Sequence, residues 1–428
     1  MKTVNQLFLE ALKASLENRK LTWDFELSDD SWRSFFALAE SHKVLPMIFD
    51  AVCRCPSARR ADPQLMQEKK QRSIAGMMHQ IRKTSEFLNI YRQFAFHGIQ
   101  TLVVKGLICR ELYPNPDFRI SSDEDILVTA RQFEKSIQIL QECGLHPTIE
   151  RTDVENVDEI GFIAKEGVSY IELHKSLFPK DSDAYGDLNN YFVDCFENAP
   201  SLKVQGTEIR TLEPTMHLFY LICHAFKHFL HSGFGLRQVC DITMFANAYG
   251  KEIDWQMLFN QCREIRADKF MAALFKIGKK YLTFDFAKAC YSKQWQEIEI
   301  DEEELLLELL QSGIYGGSSM SRRHSAKMTL EAAASMKKGK RDNVGFSVFS
   351  LEEKLKYLGE KFKPNGKYDL RDKIVTHFAY SAGYTRFEDI IKDMDASIRE
   401  ADARGRKYAL ELGTDGRFMF KKGDFVRG

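Results

Sequence analysis

Thr101 to Val128, TLVVKGLICRELYPNPDFRISSDEDILV, is the stretch that decides how the rest of the chain is read. An apolar run, Leu102-Val103-Val104, stops at Lys105-Gly106. Further on, Ser121-Ser122-Asp123-Glu124-Asp125 leads directly into Ile126-Leu127-Val128. Acids alternating with apolar residues predict a strand, in which side chains two apart share a face. Asp123 and Asp125 then stand side by side, with Glu124 and Ile126 on the opposite face. Two adjacent carboxylates repel each other unless a cation neutralises them. Mg²⁺ suits that position, because it prefers carboxylate oxygens combined with substrate phosphates. A solvated acidic strand end is the simpler reading of an isolated Asp-x-Asp, which is too common to decide anything alone.

Outward from this stretch the texture is mixed over residues 98–212. The pattern predicts a strand at 100–104, the Lys-Gly turn and a helix over 107–113. After a loop with Pro114 and Pro116 come the acid strand at 123–128 and a helix over 130–143. Residues 160–164 and 168–174 read as a β-hairpin around Lys165-Glu166-Gly167, with Val168, Tyr170, Glu172 and His174 on one face. Residues 206–211 add an edge strand.

These elements resemble the nucleotidyltransferase superfamily with the DNA polymerase β palm, in particular a bacterial branch. That branch pairs a Lys-Gly turn with a downstream Arg-x-x-x-Asp-x-Asp. Here the matching residues are Lys105-Gly106, Leu112-Tyr113-Pro114, and Arg119-Ile-Ser-Ser-Asp123-Glu-Asp125. The resemblance implies a third carboxylate on a neighbouring strand, and Tyr170-Ile-Glu172-Leu-His174 supplies one in apolar–acid–apolar form. It also implies an α+β fold, a small mixed-sheet palm with helices embedded in a mainly helical protein. One departure is that the superfamily usually has a Gly-Ser turn closer to its acids, where this chain has Lys-Gly at a longer spacing.

The activity so implied is transfer of NMP from an NTP such as ATP to a small-molecule or protein acceptor, dependent on Mg²⁺, or on Mn²⁺ in its place. Asp123 and Asp125 would hold the ions, and Glu172 would deprotonate the acceptor or complete the acceptor-side ion. Lys105 and Gly106 would approach the phosphates, since a turn without a Cβ lets backbone N–H groups come close. Arg119 offers a bidentate phosphate contact or, equally, an ion pair with the acids. The cleft is expected to be lined by some of Arg119, His224, Lys227 and Arg237, with His174, His224 and Lys227 as candidate substrate contacts. The three carboxylates should lie on the order of 3–6 Å apart, with crowding raising the pKa of at least one. A catalytically silent nucleotide-binding or regulatory module, or one half of a toxin–antitoxin pair, is the alternative.

Composition narrows the partners. Lys+Arg and Asp+Glu are equal at 61 each, so no global positive field draws in nucleic acid, which disfavours a long nucleic-acid substrate. The first residues form an amphipathic pattern without a signal peptide's apolar core, and no membrane-spanning run occurs. Nine cysteines without a paired motif suggest reduced thiols in the cytoplasm.

Residues 1–97 read as a helical region. Helices are expected at 4–17, from Asp29-Asp30, and over 64–96, the last burying Ile74, Met77, Met78, Ile81, Phe87, Leu88, Tyr91 and Phe94. Residues 54–63 read as a loop. From 213 to 428 the chain reads as helical again, beginning at Glu213-Pro214, since Pro fits a first turn. That first helix carries His217, His224 and His228; the spacing of 224 and 228 allows a metal pair or general-base use, but structural or substrate-contact roles are the simpler reading. Arg237 and Asp241, at i and i+4, form an ion pair, or Arg237 contacts the nucleotide. Residues 318–345 are polar and basic, a mobile segment or a lid over phosphates, and 350–428 read as a charged helical tail.

Overall fold

The structure, a computed structural model, describes residues 2–149, 157–180, 185–231, 234–312, 410–412 and 418–420. Five helices lead: α1 (Val4–Leu16), α2 (Asp29–Ser41), α3 (Leu45–Val52), α4 (Pro56–Arg60) and α5 (Pro63–Phe96). Each start has a local cause. Thr3 and Gln6 form a reciprocal capping box on α1, and the Ser28 side chain accepts from Ser31 N–H on α2. Proline sits in the first turn of α3, α4 and α5, where its missing N–H costs nothing. The segment expected as a loop at 54–63 thus contains a short helix, started by the Cys55 cap and Pro56. Trp32, Phe35, Phe36 and Phe8 are fully buried and knit α1 and α2 together, with Trp32 stacked on Phe36.

The long α5 corrects the expected buried face. Phe87, Leu88, Tyr91 and Phe94 are buried, but Ile74, Met78 and Ile81 are exposed, Met78 at 61%. In their place the middle of α5 buries Gln80, Lys83 and Thr84. Those polar residues serve buried acceptors and donors in the next region, as described below, and that service overrides the apolar periodicity.

The mixed region opens with β1 (Thr101–Val104), α6 (Gly106–Arg110), β2 (Glu124–Val128) and α7 (Phe133–Glu142). β3 (Leu145–Pro147), β4 (Glu159–Ala164) and β5 (Tyr170–His174) complete a five-stranded sheet in the order β1-β2-β5-β4-β3. β1 and β2 are antiparallel, β2 and β5 parallel, and β5 and β4 antiparallel. The sheet is therefore mixed, and β1, β2 and β5 carry near-continuous burial because helices cover it. Residues 206–211 do not extend this sheet. β6 (Ser201–Val204) and β7 (Thr207–Arg210) pair with each other in a hairpin turned by Gln205 and Gly206, both at positive φ. A β-hairpin turn satisfies the N–H groups locally, so no sheet edge is required.

Helices resume with α8 (Pro214–His231), α9 (Leu236–Tyr249), α10 (Trp255–Glu264), α11 (Asp268–Tyr281), α12 (Lys293–Gln296) and α13 (Glu302–Ser312). Residues 318–345 lie outside the described residues, as does most of the expected helical tail. Its described pieces, β8 (Leu410–Leu412) and β9 (Phe418–Phe420), are an antiparallel strand pair. The chain divides into two compact units, Met1–Phe226 with Phe234–Tyr315, and Lys227–Gly233 with Gly316–Gly428. Among the described residues no helix is long and apolar enough to cross a membrane.

Within the first unit, one buried ion pair joins the sheet region to α9. Arg119 donates from Nε and Nη2 to the two carboxylate oxygens of Asp241, both at 2.7 Å, and Tyr113 Oη donates to Oδ1 at 2.7 Å. Two buried histidines brace the same unit. His42 Nδ1 accepts from Leu236 N–H at 3.2 Å while its ring stacks on Phe8. Burial pushes His42 down to about 4 and His217 down to about 3.

Both imidazoles stay neutral in the folded chain, whereas an unfolded chain takes up their protons near pH 6.5. Stability is therefore expected to fall as pH drops below 6.5, by about 2 kcal/mol per histidine at pH 5. Thermal melts from pH 7 to 5 should show a shallower acid slope for His42→Asn, and identical slopes would contradict this. Arg119→Met leaves Asp241 buried without its guanidinium and should cost about 3–5 kcal/mol in urea unfolding. Adding Asp241→Leu should recover part of that loss.

Candidate active site

Register builds the site. Parallel pairing places Asp125 of β2 opposite Glu172 of β5. On the other side, Val104, the last residue of β1, lies opposite Asp125, so the chain leaves β1 at Lys105 beside that carboxylate. Lys105 has φ +54° and ψ −109°, a conformation that L-residues rarely adopt. Such backbone strain costs about 1–3 kcal/mol and persists only where neighbours over-determine it. Here the Lys105 N–H donates to His217 Nε2 at 3.3 Å. His217 Nδ1 lies 3.2 Å from Thr211 Oγ1, whose hydroxyl donates to the Val103 carbonyl at 2.7 Å. With the hydroxyl proton committed to Val103, His217 donates from Nδ1 and accepts at Nε2, the neutral tautomer that its burial favours.

The turn brings the Lys105 ammonium into the acids. Nζ lies 2.8 Å from Asp125 Oδ1, 3.8 Å from Asp123 Oδ2 and 3.0 Å from His224 Nε2. Asp125 is only 1% exposed. Burial alone would raise its pKa, but the Lys105 ammonium and the His174 hydrogen bond outweigh it and hold the carboxyl well below the usual range. Burial likewise opposes the Lys105 charge, and Asp125 reverses that, lifting Lys105 well above its ordinary value. Glu172 goes the other way: burial first and the Asp125 charge next push it up to about 9. His174 sits among these acids. Its Nε2 is 3.2 Å from Asp125 Oδ1 and 3.9 Å from Glu172 Oε2, and its Nδ1 is 3.5 Å from Glu159 Oε2.

The ligand atoms of Asp125, Glu172 and His174 lie within 4.8 Å of one another. Asp123 stands outside that cluster, partly exposed, and reaches it through Lys105. The residues fit a divalent cation. Asp125 Oδ2 is buried and has no hydrogen-bond partner among the described residues, an acceptor that a cation would satisfy. Carboxylate oxygens from Asp125, Glu172 and Asp123 are the donors that a hard ion takes.

Behind the acid face is a second buried charge, which the sequence reading placed on the far side of the strand without giving it a task. Glu124 is 1% exposed. Arg110 donates to its Oε1, Ser121 Oγ donates to the same oxygen at 3.0 Å, and Lys83 Nζ is 3.8 Å away. Burial opposes the Glu124 charge, but Arg110 and then Lys83 prevail and lower its pKa. Gln80 Oε1 accepts from Ser121 N–H at 2.8 Å and Thr84 Oγ1 accepts from Arg110 Nη1 at 2.9 Å. This is what α5 buries its polar residues for. The polar trio Gln80, Lys83 and Thr84, spaced as one helix face, was the sequence signal for it.

Gly106 belongs to this rear layer. A Cβ added there would collide with the Glu124 carboxylate. Its bareness therefore makes room for Glu124. The two arginines depart from expectation. Arg119 is engaged bidentately by Asp241, and Arg237 donates to the Ile120 carbonyl, both guanidinium groups being buried inside the protein. The expected Arg237–Asp241 helix pair gives way because Arg119 offers Asp241 two parallel hydrogen bonds, the stronger geometry. Burial lowers the Arg237 pKa, with the Arg119 charge adding to it. His224 meets Lys105 as described, and Lys227 is half-buried on α8 in the second compact unit.

No curated protein matches the chain. A crystal structure of an antigenic nucleotidyltransferase-like protein from Paracoccidioides brasiliensis aligns with 48% of this chain and 94% of its own, at 13% identity and a TM-score of 0.28. Residues 28–283, more than half of the chain, match a family model described as uncharacterised nucleotidyltransferase, and the chain belongs to that family.

Proposed function

We propose that the protein transfers an NMP group from an NTP to a small-molecule or protein acceptor in a reaction dependent on a divalent cation, Mg²⁺ or Mn²⁺. The observation that carries this reading is the Asp125–Glu172 register, which sets two carboxylates side by side with donor atoms close enough to share a cation. The reaction is an in-line displacement. A bond forms between the acceptor oxygen and the α-phosphorus, while the bond from that phosphorus to pyrophosphate breaks.

Glu172 is the group positioned to take the acceptor's proton once a bound cation offsets the burial and the Asp125 charge that push its carboxyl up to about 9. Its side chain is 22% exposed, which gives the proton a way out to solvent. Asp125 stays ionised throughout, held so by Lys105 and His174. Mg²⁺ or Mn²⁺ held by Asp123, Asp125 and Glu172 would supply charge neutralisation at the attacking and leaving oxygens. Lys105 adds a fixed ammonium beside them, its position set by the strained turn and His217. Arg119 and Arg237 act from behind: they fix the 119–121 backbone that leads into Asp123.

A second reading has one observation in its favour. The Lys105 ammonium already neutralises Asp125, as a metal-independent nucleotide-binding module requires. Calorimetry with ATP and the other NTPs separates the two, because the module binds equally with and without Mg²⁺ and forms no product.

For the enzyme, Asp125→Asn and Glu172→Gln should each lower NMP transfer by on the order of 10²–10³, the range for losing one preorganised electrostatic group. Release of pyrophosphate across a panel of NTPs and acceptors measures it. Full activity in the Asp123→Ala/Asp125→Ala double variant would refute the reading. Arg119→Lys, which sits behind the acids, should cost stability well before it costs rate in the surviving folded protein.

A further inference from the structure

We infer that His174 Nε2 is itself a metal ligand, joining Asp125 and Glu172 in a mixed imidazole–carboxylate site that favours Mn²⁺ over Mg²⁺. The inference deepens the proposed nucleotidyl transfer and rests on its acid cluster, but it concerns a residue that an all-carboxylate scheme leaves out. Geometry is the first ground. An ion with ligand distances of about 2.1 Å spans donor atoms roughly 3.0–4.3 Å apart. His174 Nε2 lies 3.2 Å from Asp125 Oδ1 and 3.9 Å from Glu172 Oε2, inside that range on both sides. Asp123, expected to hold the ions together with Asp125, is not part of this close group.

The second ground is the other edge of the ring. β4 and β5 pair Glu159 with His174, and Glu159 Oε2 lies 3.5 Å from His174 Nδ1. A metal-binding histidine characteristically turns its second N–H to a carboxylate, which fixes the tautomer and strengthens the ligand. Carboxylate, imidazole and acid pair stand in that order here; the buried Nδ1 makes no hydrogen bond among the described residues, and Glu159 at 3.5 Å is the carboxylate beside it. The third ground is the buried Asp125 Oδ2, which lacks a partner among the described residues. His174 and Asp125 are both buried, so the ring cannot leave the acids for water.

Chemistry then sets the ion. Oxygen donors alone suit Mg²⁺, whereas imidazole moves preference toward first-row transition ions. Mn²⁺ accepts both donor types. The simpler account makes His174 only a hydrogen-bond donor to Asp125, and an amide side chain could replace it in that task.

Mn²⁺ itself is the probe, titrated into the full-length protein without nucleotide and followed by electron paramagnetic resonance and calorimetry with Mg²⁺ in competition. The expected result is tighter binding of Mn²⁺ than of Mg²⁺ by about tenfold or more, with a ¹⁴N coupling on the bound Mn²⁺. His174→Gln should remove that coupling and weaken Mn²⁺ by roughly 10–100-fold, with Mg²⁺ little changed. Glu159→Gln, on a half-exposed side chain, should keep the coupling and weaken Mn²⁺ by about tenfold.

Bound Mn²⁺ without ¹⁴N coupling would overturn the inference, as would a coupling that survives His174→Gln or no Mn²⁺ binding at millimolar concentration. NMP transfer with Mg²⁺ is measured on the same preparation. Coupling without transfer defeats the enzymatic reading alone, and transfer without coupling defeats this inference alone.

Discussion

Two consecutive acids of one strand, Glu124 and Asp125, are both buried, and they face opposite sides of the sheet. An unpaired carboxylate in that position would cost several kcal/mol even after relaxation. Each therefore needs its own cations, and because the faces are opposite it cannot share them. Glu124 takes Arg110 from α6 and Lys83 from α5. Asp125 takes Lys105 from the turn after β1 and His174 from β5. Much of the first unit's polar interior follows from this one constraint. It dictates the buried polar face of α5, the missing side chain at Gly106 and the unusual backbone at Lys105.

Stability alone would not select such an interior. Replacing buried ion pairs with well-packed apolar residues is often neutral or favourable by about 1–4 kcal/mol. What the charges secure is position. Lys105 reaches Asp125 from a backbone at positive φ, and that φ is held by His217 and Thr211 through three linked hydrogen bonds. Strain in the turn and burial of a neutral histidine are the costs of placing one ammonium between Asp123, Asp125 and His224. The Arg119–Asp241 pair repeats the pattern one layer further back, clamping the loop before β2 against α9. Each layer orients the one in front of it, which is how a site is held to a few tenths of an ångström.

Local pattern made much of this legible. The apolar run ending in Lys105-Gly106, the alternating acids and the Ile160–His174 hairpin each specify an element by their own residues, and parallel pairing of β2 with β5 then joins Asp125 to Glu172. What stayed hidden was the choice among charge partners distant in sequence. Arg237 at i+4 looked like the natural partner of Asp241, but Arg119, 122 residues away, holds it with better geometry. The same blindness covered Glu124. Its burial depends on Lys83 and Arg110, and an acid between Asp123 and Asp125 carries no mark of which face will be dry. On α5 the apolar residues Ile74, Met78 and Ile81 announced a core face, while Gln80, Lys83 and Thr84 were needed inside. A period of 3.6 residues identifies a helix without saying which of two mixed faces meets a charge.

The front of the site shows how one environment gives neighbouring carboxylates opposite characters. Asp125 and Glu172 are register partners and both are desolvated, so burial pushes both upward. Lys105 decides between them. It sits 2.8 Å from Asp125 Oδ1 and reverses the burial effect there, whereas at Glu172 the ammonium's influence is smaller than the repulsion from Asp125. Once Asp125 is fixed as the anion, its own charge helps make Glu172 the proton-holding partner. Separating two titratable groups in this way is what acid–base chemistry at a single site requires. Here the ammonium comes from the turn after β1, whose strained backbone at Lys105 stands beside Asp125.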